Sequence, residues 1–267
     1  MKLLTLNAHS WLETNQHDKI KAIAKEIINN NYDLITIQEV NQLIKTAEIE
    51  KPESYFGHSV LHEDNFALCL QQEIEKLGQN YYFTYHIAHR GFNKYQEGLS
   101  FLIKSQIIEV KEIVTTPFND FEFLTRKAIR LKAEIDGQNY TFYNCHASWW
   151  ANGFQDEWQK LFADIQSQSG PVILMGDFNA PDDIENESYH LISSNFHDSF
   201  QDAKIKIGRN TITESIAGWA NNTQARRIDF VFYNDLIIAK SYEVVFDSHR
   251  TPIVSDHFGV SVEIEPL

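Results

Sequence analysis

The sequence predicts a mixed α/β fold (α/β of the α+β type) in one domain spanning residues 1–267. Two observations carry the prediction. Strand-like and helix-like stretches alternate along most of the chain. In addition, no repeat, low-complexity tract or Pro/Gly/Ser-rich linker divides it, the six prolines being scattered.

Lys2 to Leu6 reads as an apolar strand. Lys19 to Ile28 places Ile20, Ile23, Ala24, Ile27 and Ile28 at the spacing of an amphipathic helix. Tyr32 to Gln38 is again strand-like, and Phe66 to Leu77 is a second helix. Tyr82 to Ala88, Leu99 to Ile103 and Ile107 to Val114 are three further strands. Ile129 to Ile135 and Tyr140 to Cys145 flank Asp136-Gly137, a strong hairpin signal. Asp156 to Gln166 gathers Trp158, Leu161, Phe162 and Ile165 on one helical face, and Val172 to Met175 is a buried strand. The last third is strand-rich, at Ile228 to Tyr233, Ile237 to Phe246 and Gly259 to Ile264. Gln42 to Asp64 and Pro181 to Trp219 carry no regular pattern and read as loops or substrate elements.

Composition narrows the function. A chain of 267 residues can bury a core without disulfides or a structural metal. Its net charge of −14 repels a polyanion, so nucleic acid is a disfavoured partner, whereas a small phosphate in one locally positive pocket is compatible. Cys69 and Cys145 form no CxxC and read as two reduced, buried thiols. No apolar run approaches membrane-spanning length, and Met1 to Asn7 turns polar too soon for a signal-peptide core. The expectation is a cytoplasmic protein without a membrane partner, its Asn221-Asn222-Thr223 sequon a chance match. GxGxxG, the P-loop, HExxH and GxSxG are all missing, which argues against a Rossmann oxidoreductase, a P-loop NTPase, a zincin and a standard α/β-hydrolase.

Short polar signatures stand instead at the ends of apolar strands. They are Leu6-Asn7, Ile37-Gln38-Glu39, Asn144-Cys145-His146, Gly176-Asp177-Phe178-Asn179, Arg227-Ile228-Asp229 and Ser255-Asp256-His257. Burying a lone carboxylate costs several kcal/mol, so each should meet a cation or a donor. Strand ends are where ligands collect in α/β sheets. If these ends converge, the resulting mixture of carboxylates, amides and imidazoles suits a hard, oxygen-liganded cation such as Mg²⁺, with histidines left for proton or phosphate work.

The ordered set Asn7, Glu39, His146, Gly176-Asp177-Phe178-Asn179, Asp229 and Ser255-Asp256-His257 resembles the endonuclease/exonuclease/phosphatase superfamily, the DNase I-like fold. Glu97 and Arg126 match two further positions, and the likeness runs from residue 3 to about 264. Within the superfamily, LLTLNAHSW, YQEGLSFL, HASWWANGFQDEW and VSDHFGV are similar to the bacterial maltose 6′-phosphate phosphatases. Asn152-Gly153-Phe154 stands before Asp156-Glu157 where that group carries an acidic run.

The resemblance implies a four-layer α/β sandwich, two mixed sheets face to face with helices outside and the site at one rim. It implies metal-assisted phosphoester hydrolysis with Mg²⁺, or alternatively Mn²⁺, on Glu39, Asn7 (through its amide oxygen) and Asp256. Asp177 would align the attacking water and Asn179 would hydrogen-bond that water or a phosphate oxygen. His257, its ring fixed by Asp229, would act as general base or as a cationic stabiliser. His146, paired with Glu97, would donate to a phosphate oxygen or the leaving group. Arg126 and Arg227 would bind phosphate, although an arginine beside Asp229 could equally be a surface charge. Trp149 and Trp150 would offer a face for a sugar ring or else pack the core. The remaining histidines read as structural or solvated, with His9 and His89, closest to motif segments, meriting suspicion only. The expected substrate is a small phosphorylated sugar such as maltose 6′-phosphate. The alternatives are a phosphodiesterase, either nuclease or sphingomyelinase-like, and a binding protein with a decayed site.

Overall fold

The computed structural model describes residues 1–116, 125–213 and 215–267. Its elements in chain order begin with β1 (Lys2–Asn7), α1 (Gln16–Asn30), β2 (Leu34–Leu43), α2 (Phe66–Lys76), β3 (Tyr82–Phe83), β4 (His86–Gly91) and β5 (Tyr95–Ile103). They continue with β6 (Ile107–Val114), β7 (Lys127–Ile135), β8 (Gln138–His146), α3 (Phe154–Gln166), β9 (Val172–Asp177) and α4 (Ser188–Ser193). The chain closes with β10 (His197–Asp198), α5 (Ser199–Asp202), β11 (Ile205–Ile207), β12 (Asp229–Tyr233), β13 (Ile237–Val245) and β14 (Gly259–Pro266). The strands form an eight-stranded mixed sheet, β11-β13-β14-β1-β2-β5-β3 with β4 also on β5, and a six-stranded one, β10-β12-β9-β8-β7-β6.

Alternation along the strands sorts side chains into layers. In β1 and β2, Leu3 and Leu34 face a core shared with Phe142, Ile173, Met175 and Val231 of the other sheet. Leu4, Leu6, Ile35 and Ile37 point the opposite way, onto Ile20, Ile27, Phe66 and Ile74 of α1 and α2. On the smaller sheet Leu174, Phe230 and Phe232 likewise turn outward to Trp158, Leu161 and Ile165 of α3 and Ile192 of α4. Helices, sheet, sheet and helices make the four layers that the superfamily resemblance implies.

The inter-sheet core changes character along its length. Continuing the inward-facing positions of β1, β2, β8, β9 and β12 to the strand ends gives Asn7, Gln38, Asn144, His146, Asp177 and Asp229, all buried or nearly so. There Gln38 Nε2 donates to Asn144 Oδ1 across the sheets at 2.7 Å, and the Asn144 amide donates to the Ile37 and Ser100 carbonyls. One end of the sandwich is therefore hydrocarbon and the other a polar rim.

Unusual backbone conformations occur at that rim. Between Ile37 and Val40 the β2–β5 register shifts, and Glu39 takes φ 51°. This bulge re-aims the carboxylate out of the pleat. Gly176 has φ 144°, and a Cβ there would lie 1.9 Å from the Cys145 carbonyl oxygen, so only glycine lets β8 and β9 pair at this point. The Asp136-Gly137 hairpin forms as expected, both residues at positive φ. The Tyr82 to Ala88 strand is broken into β3 and β4, while the Pro181 to Trp219 stretch contains α4, β10, α5 and β11, short elements without a readable period. Cys145 is buried but Cys69 only half-buried, and both are free thiols. No helix among the described residues is long and apolar enough to cross a membrane.

Candidate active site

Strand register brings the polar ends together. His146 pairs with Asp177 across β8–β9, and Asp177 with Asp229 across β9–β12. Asn7, at the end of β1 on the facing sheet, donates through its NH₂ to Glu39 Oε1 at 2.9 Å and to Asp177 Oδ2 at 3.1 Å. Ser255 Oγ donates to the Asn7 carbonyl and accepts from the His257 N–H, which ties the 255–257 loop to β1. The result is a cleft of about 440 Å³ lined by Glu39, Arg126, His146, Trp149, Asp177 and His257 among others.

Burial and mutual repulsion set the protonation pattern. Glu39 is pushed up to about 7 by desolvation and then by the charges of Glu97 and Asp256. Asp177 is pushed up to about 6 by desolvation and the neighbouring Asp229. Burial alone would lower His257, but Asp229, at 3.0 Å from Nδ1, and Asp177 outweigh it and raise it to about 10, so it is an imidazolium. His146 falls well below its ordinary value through burial and then through the neighbouring Arg126, His89 and His257. It is a neutral imidazole with Nε2 3.7 Å from Asp177 and 3.9 Å from Glu39.

A positive charge among these crowded, buried carboxylates would offset their mutual repulsion. The donors are oxygen-rich, which fits a hard divalent cation. Of the expected ligands, Glu39 lines the cleft, while Asp256 lies near enough to raise it and stands 3.6 Å from His9 Nδ1. Two compact groups also bring one ligating atom each within 4.8 Å of one another, Asp177 with Asp229 and His257, and His9 with Glu13 and Asp256. Asn7 differs from expectation in its orientation. Its side-chain Oδ1 accepts from the His9 N–H at 3.2 Å while its NH₂ bridges two carboxylates, so presenting oxygen to a cation requires the amide to turn over.

Three expectations are corrected. Glu97 does not pair with His146. It lies across the β4–β5 ladder from His89, Oε1 to Nε2 at 3.2 Å, because both are neighbours in the eight-stranded sheet while His146 ends a strand of the other. Burial raises Glu97, but this hydrogen bond and the Arg126 charge hold it low. Arg227 is not a phosphate ligand. It is fully buried, clamped by Asp198 and Asp182 and stacked over Phe200 and Phe230. Trp150 is not at the cleft either, since it packs toward Phe154 on the α3 layer.

The other positions converge. Arg126 is 4% exposed, its guanidinium 5.6 Å from the Trp149 ring centroid and its Nε without a partner among the described residues. Asn179, at φ 46°, is held by its own N–H to Asp177 Oδ1 and by Nδ2 to the Ala147 carbonyl. Its Oδ1 accepts from Trp219 Nε1 at 2.7 Å. Sequence reasoning missed His89, His9 and Trp219. His89 could have been found from its cross-strand register with Glu97; His9, at φ 43° and 2.7 Å from Glu13, from its place two residues after Asn7. Trp219 lies in a stretch without period and carried no signal.

The Endonuclease/Exonuclease/phosphatase family profile matches residues 12–257, and the chain belongs to this family of phosphoester hydrolases. The family is typically metal-dependent, and the buried acidic and histidine groups can bind a metal. An endonuclease/exonuclease/phosphatase family protein from Leptotrichia buccalis C-1013-b is 31% identical, with 99% of each chain covered and a TM-score of 0.88. A functionally unknown conserved protein from Enterococcus faecalis V583 shares the fold at 18% identity over all of both chains, TM-score 0.71. So does a mannosyl-6-phosphatase from Bacteroides thetaiotaomicron VPI-5482, at 18% identity, 99% of each chain and TM-score 0.65. Among curated proteins, none matches.

Proposed function

We propose that residues 1–267 act as one metal-dependent phosphomonoesterase that releases phosphate from a sugar phosphate, preferably maltose 6′-phosphate. The observation that carries this reading is the mixed lining of the cleft. Asp177, His146 and the His257 imidazolium line it together with Arg126, whose guanidinium lies over the Trp149 ring. The charged and histidine groups suit a phosphoryl group and the indole the apolar face of a sugar. A volume of about 440 Å³ suits a small molecule, and the net charge of −14 supports one over a polyanion. A protein of the same fold named a mannosyl-6-phosphatase supports searching among sugar phosphates.

Glu39 and Asp256, with Asn7 turned to offer oxygen, would hold Mg²⁺ or Mn²⁺. Such a cation, when bound, offsets charge on the phosphoryl and leaving oxygens. Asp177, raised to about 6, aligns the attacking water and accepts its proton, while Asn179 fixes the Asp177 carboxylate through its N–H. Asp229 keeps His257 cationic, facing the charge that grows on the non-bridging oxygens. Neutral His146 donates toward the phosphoryl or leaving oxygen. Arg126 supplies a charge-assisted donor to phosphate.

The test is inorganic phosphate release with Mg²⁺ from maltose 6′-phosphate beside glucose 6-phosphate, with plasmid nicking in parallel and Asp177→Ala as control. Release from the disaccharide phosphate that Asp177→Ala abolishes is the expected result. Plasmid nicking without phosphate release would overturn the reading in favour of a phosphodiesterase.

A further inference from the structure

A second depression of about 690 Å³ adjoins the cleft and shares Trp149 and Gly218 with it. Its lining includes Trp149, Trp219, Asn152, Asn221 and Thr223. The shared wall is tightly built. Gly218 has φ 79°, and a Cβ there would lie 2.5 Å from the Trp149 ring, so glycine is what allows the loop to close against the indole. The floor is pinned as well. Asn222 N–H donates to the Trp219 carbonyl, and Asn222 Oδ1 accepts from Arg226 Nε, whose guanidinium is paired with Asp183. By contrast, the exposed Asn152 and Asn221 side chains have no hydrogen-bond partner among the described residues, which leaves their donors and acceptors open to the depression.

Indole faces beside amides that both donate and accept are the chemistry that recognises a glycosyl ring. Its C–H face packs on an aromatic surface, and its vicinal hydroxyls need a donor and an acceptor side by side. A carboxylate-free rim also suits a neutral group rather than a cation. Trp219 further links this depression to the reacting end of the cleft, since its Nε1–H bonds Asn179 Oδ1 and the Asn179 N–H bonds Asp177.

We propose that the Trp149–Trp219 depression is a subsite for a second glycosyl ring, and that a ring held there acts on turnover through Trp219 and Asn179. This rests on the sugar-phosphate reading above and adds a division of labour to it. The phosphorylated ring occupies the inner cleft and its neighbour the outer depression. Binding free energy from the outer ring steadies Asn179 and Asp177 and therefore appears in kcat as well as in KM. Trp219 is a positioning residue in this scheme.

Steady-state phosphate release with Mg²⁺ from maltose 6′-phosphate, glucose 6-phosphate and adenosine 5′-monophosphate tests it, on the parent, Trp219→Phe and Asn152→Ala/Asn221→Ala. The parent should prefer the disaccharide phosphate by roughly tenfold or more in kcat/KM, the size of one or two well-made hydrogen bonds. The double asparagine variant should lose that preference through KM, and Trp219→Phe, which keeps an aromatic ring but not the indole N–H, through kcat. Quenching of tryptophan fluorescence by unphosphorylated maltose, without metal, should occur in the parent and vanish in the double variant. Equal kcat/KM for the two sugar phosphates would overturn the subsite and leave the phosphatase standing. A preference for adenosine 5′-monophosphate would overturn it in favour of a base-stacking site. Failure to release phosphate from any of the three would overturn the phosphatase reading and the subsite with it.

Discussion

Replacing Arg227 with methionine separates two roles that a guanidinium beside Asp229 could have. The side chain is 0% exposed and its charge is shared by Asp198 and Asp182, each only 3% exposed. Its Nε donates to Asp182 at 2.9 Å and its terminal nitrogens to both oxygens of Asp198. Methionine keeps most of the contact with Phe200 and Phe230 but leaves Asp198 without a cation, while Asp182 keeps its bidentate pairing with Arg209. Breaking a buried pair costs about 3–5 kcal/mol, against a total stability of about 5–15 kcal/mol for a domain. With a urea dependence of about 3 kcal/mol per molar, the midpoint should fall by about 1–1.7 M. Urea unfolding followed by the fluorescence of the five tryptophans measures this. Adding Asp198→Asn to Arg227→Met should recover part of the loss, as it removes the carboxylate left without a cation. The phosphate-release KM of the folded Arg227→Met protein should stay near the parent value. A midpoint shift below about 0.3 M together with a tenfold rise in KM would refute the reasoning and return Arg227 to the substrate.

Other expectations follow from the same geometry. His146→Ala and His257→Ala should each cost about 10²–10⁴ in kcat while leaving the unfolding midpoint less affected than Arg227→Met, as measured by phosphate release and urea titration. EDTA should abolish phosphate release and added Mg²⁺ restore it; activity unchanged after exhaustive chelation would count against the carboxylate cluster as a cation site. Glu112 is held at about 2, chiefly by its hydrogen bond with His86 and further by Lys127. A carboxylate lowered from an ordinary 4.5 stabilises the fold above about pH 4.5, and that contribution drains away as pH falls toward 2. Glu112→Gln should therefore melt at a lower temperature than the parent at pH 6, with the gap closing by about pH 2.

Much of the site was legible because strand periodicity and site chemistry coincide. Ile173, Met175 and Asp177 share one face, so the run that marks a buried strand also aims its last carboxylate at the rim. The same holds for Phe142, Asn144 and His146 on β8, and for Val231 with Asp229 on β12. What failed was partner assignment across sheets. Glu97 was matched to His146 because both fitted motif positions, whereas a ladder decides neighbours by register and put His89 opposite Glu97. Arg227 was misread because local sequence shows its proximity to Asp229 but not Asp198 and Asp182, 29 and 45 residues away. Trp219 was invisible for a different reason. Loop residues obey no period, and its bond to Asn179 exists only once the chain has closed.

The rim draws Asn7, Glu39 and His257 from one sheet's side and His146, Asp177 and Asp229 from the other's, with Gln38–Asn144 as the cross-tie between them. Neither half of the sandwich holds a reactive set by itself. Activity is therefore a gauge of how the halves are seated, and it can be detuned from far away. A methylene added or removed at Leu34 or Val231, in the hydrocarbon end, would tilt one sheet on the other and shift the distances that cross the rim together. Variants that alter turnover without touching the cleft should cluster along that seam, their effects correlated with one another because they act on a single degree of freedom.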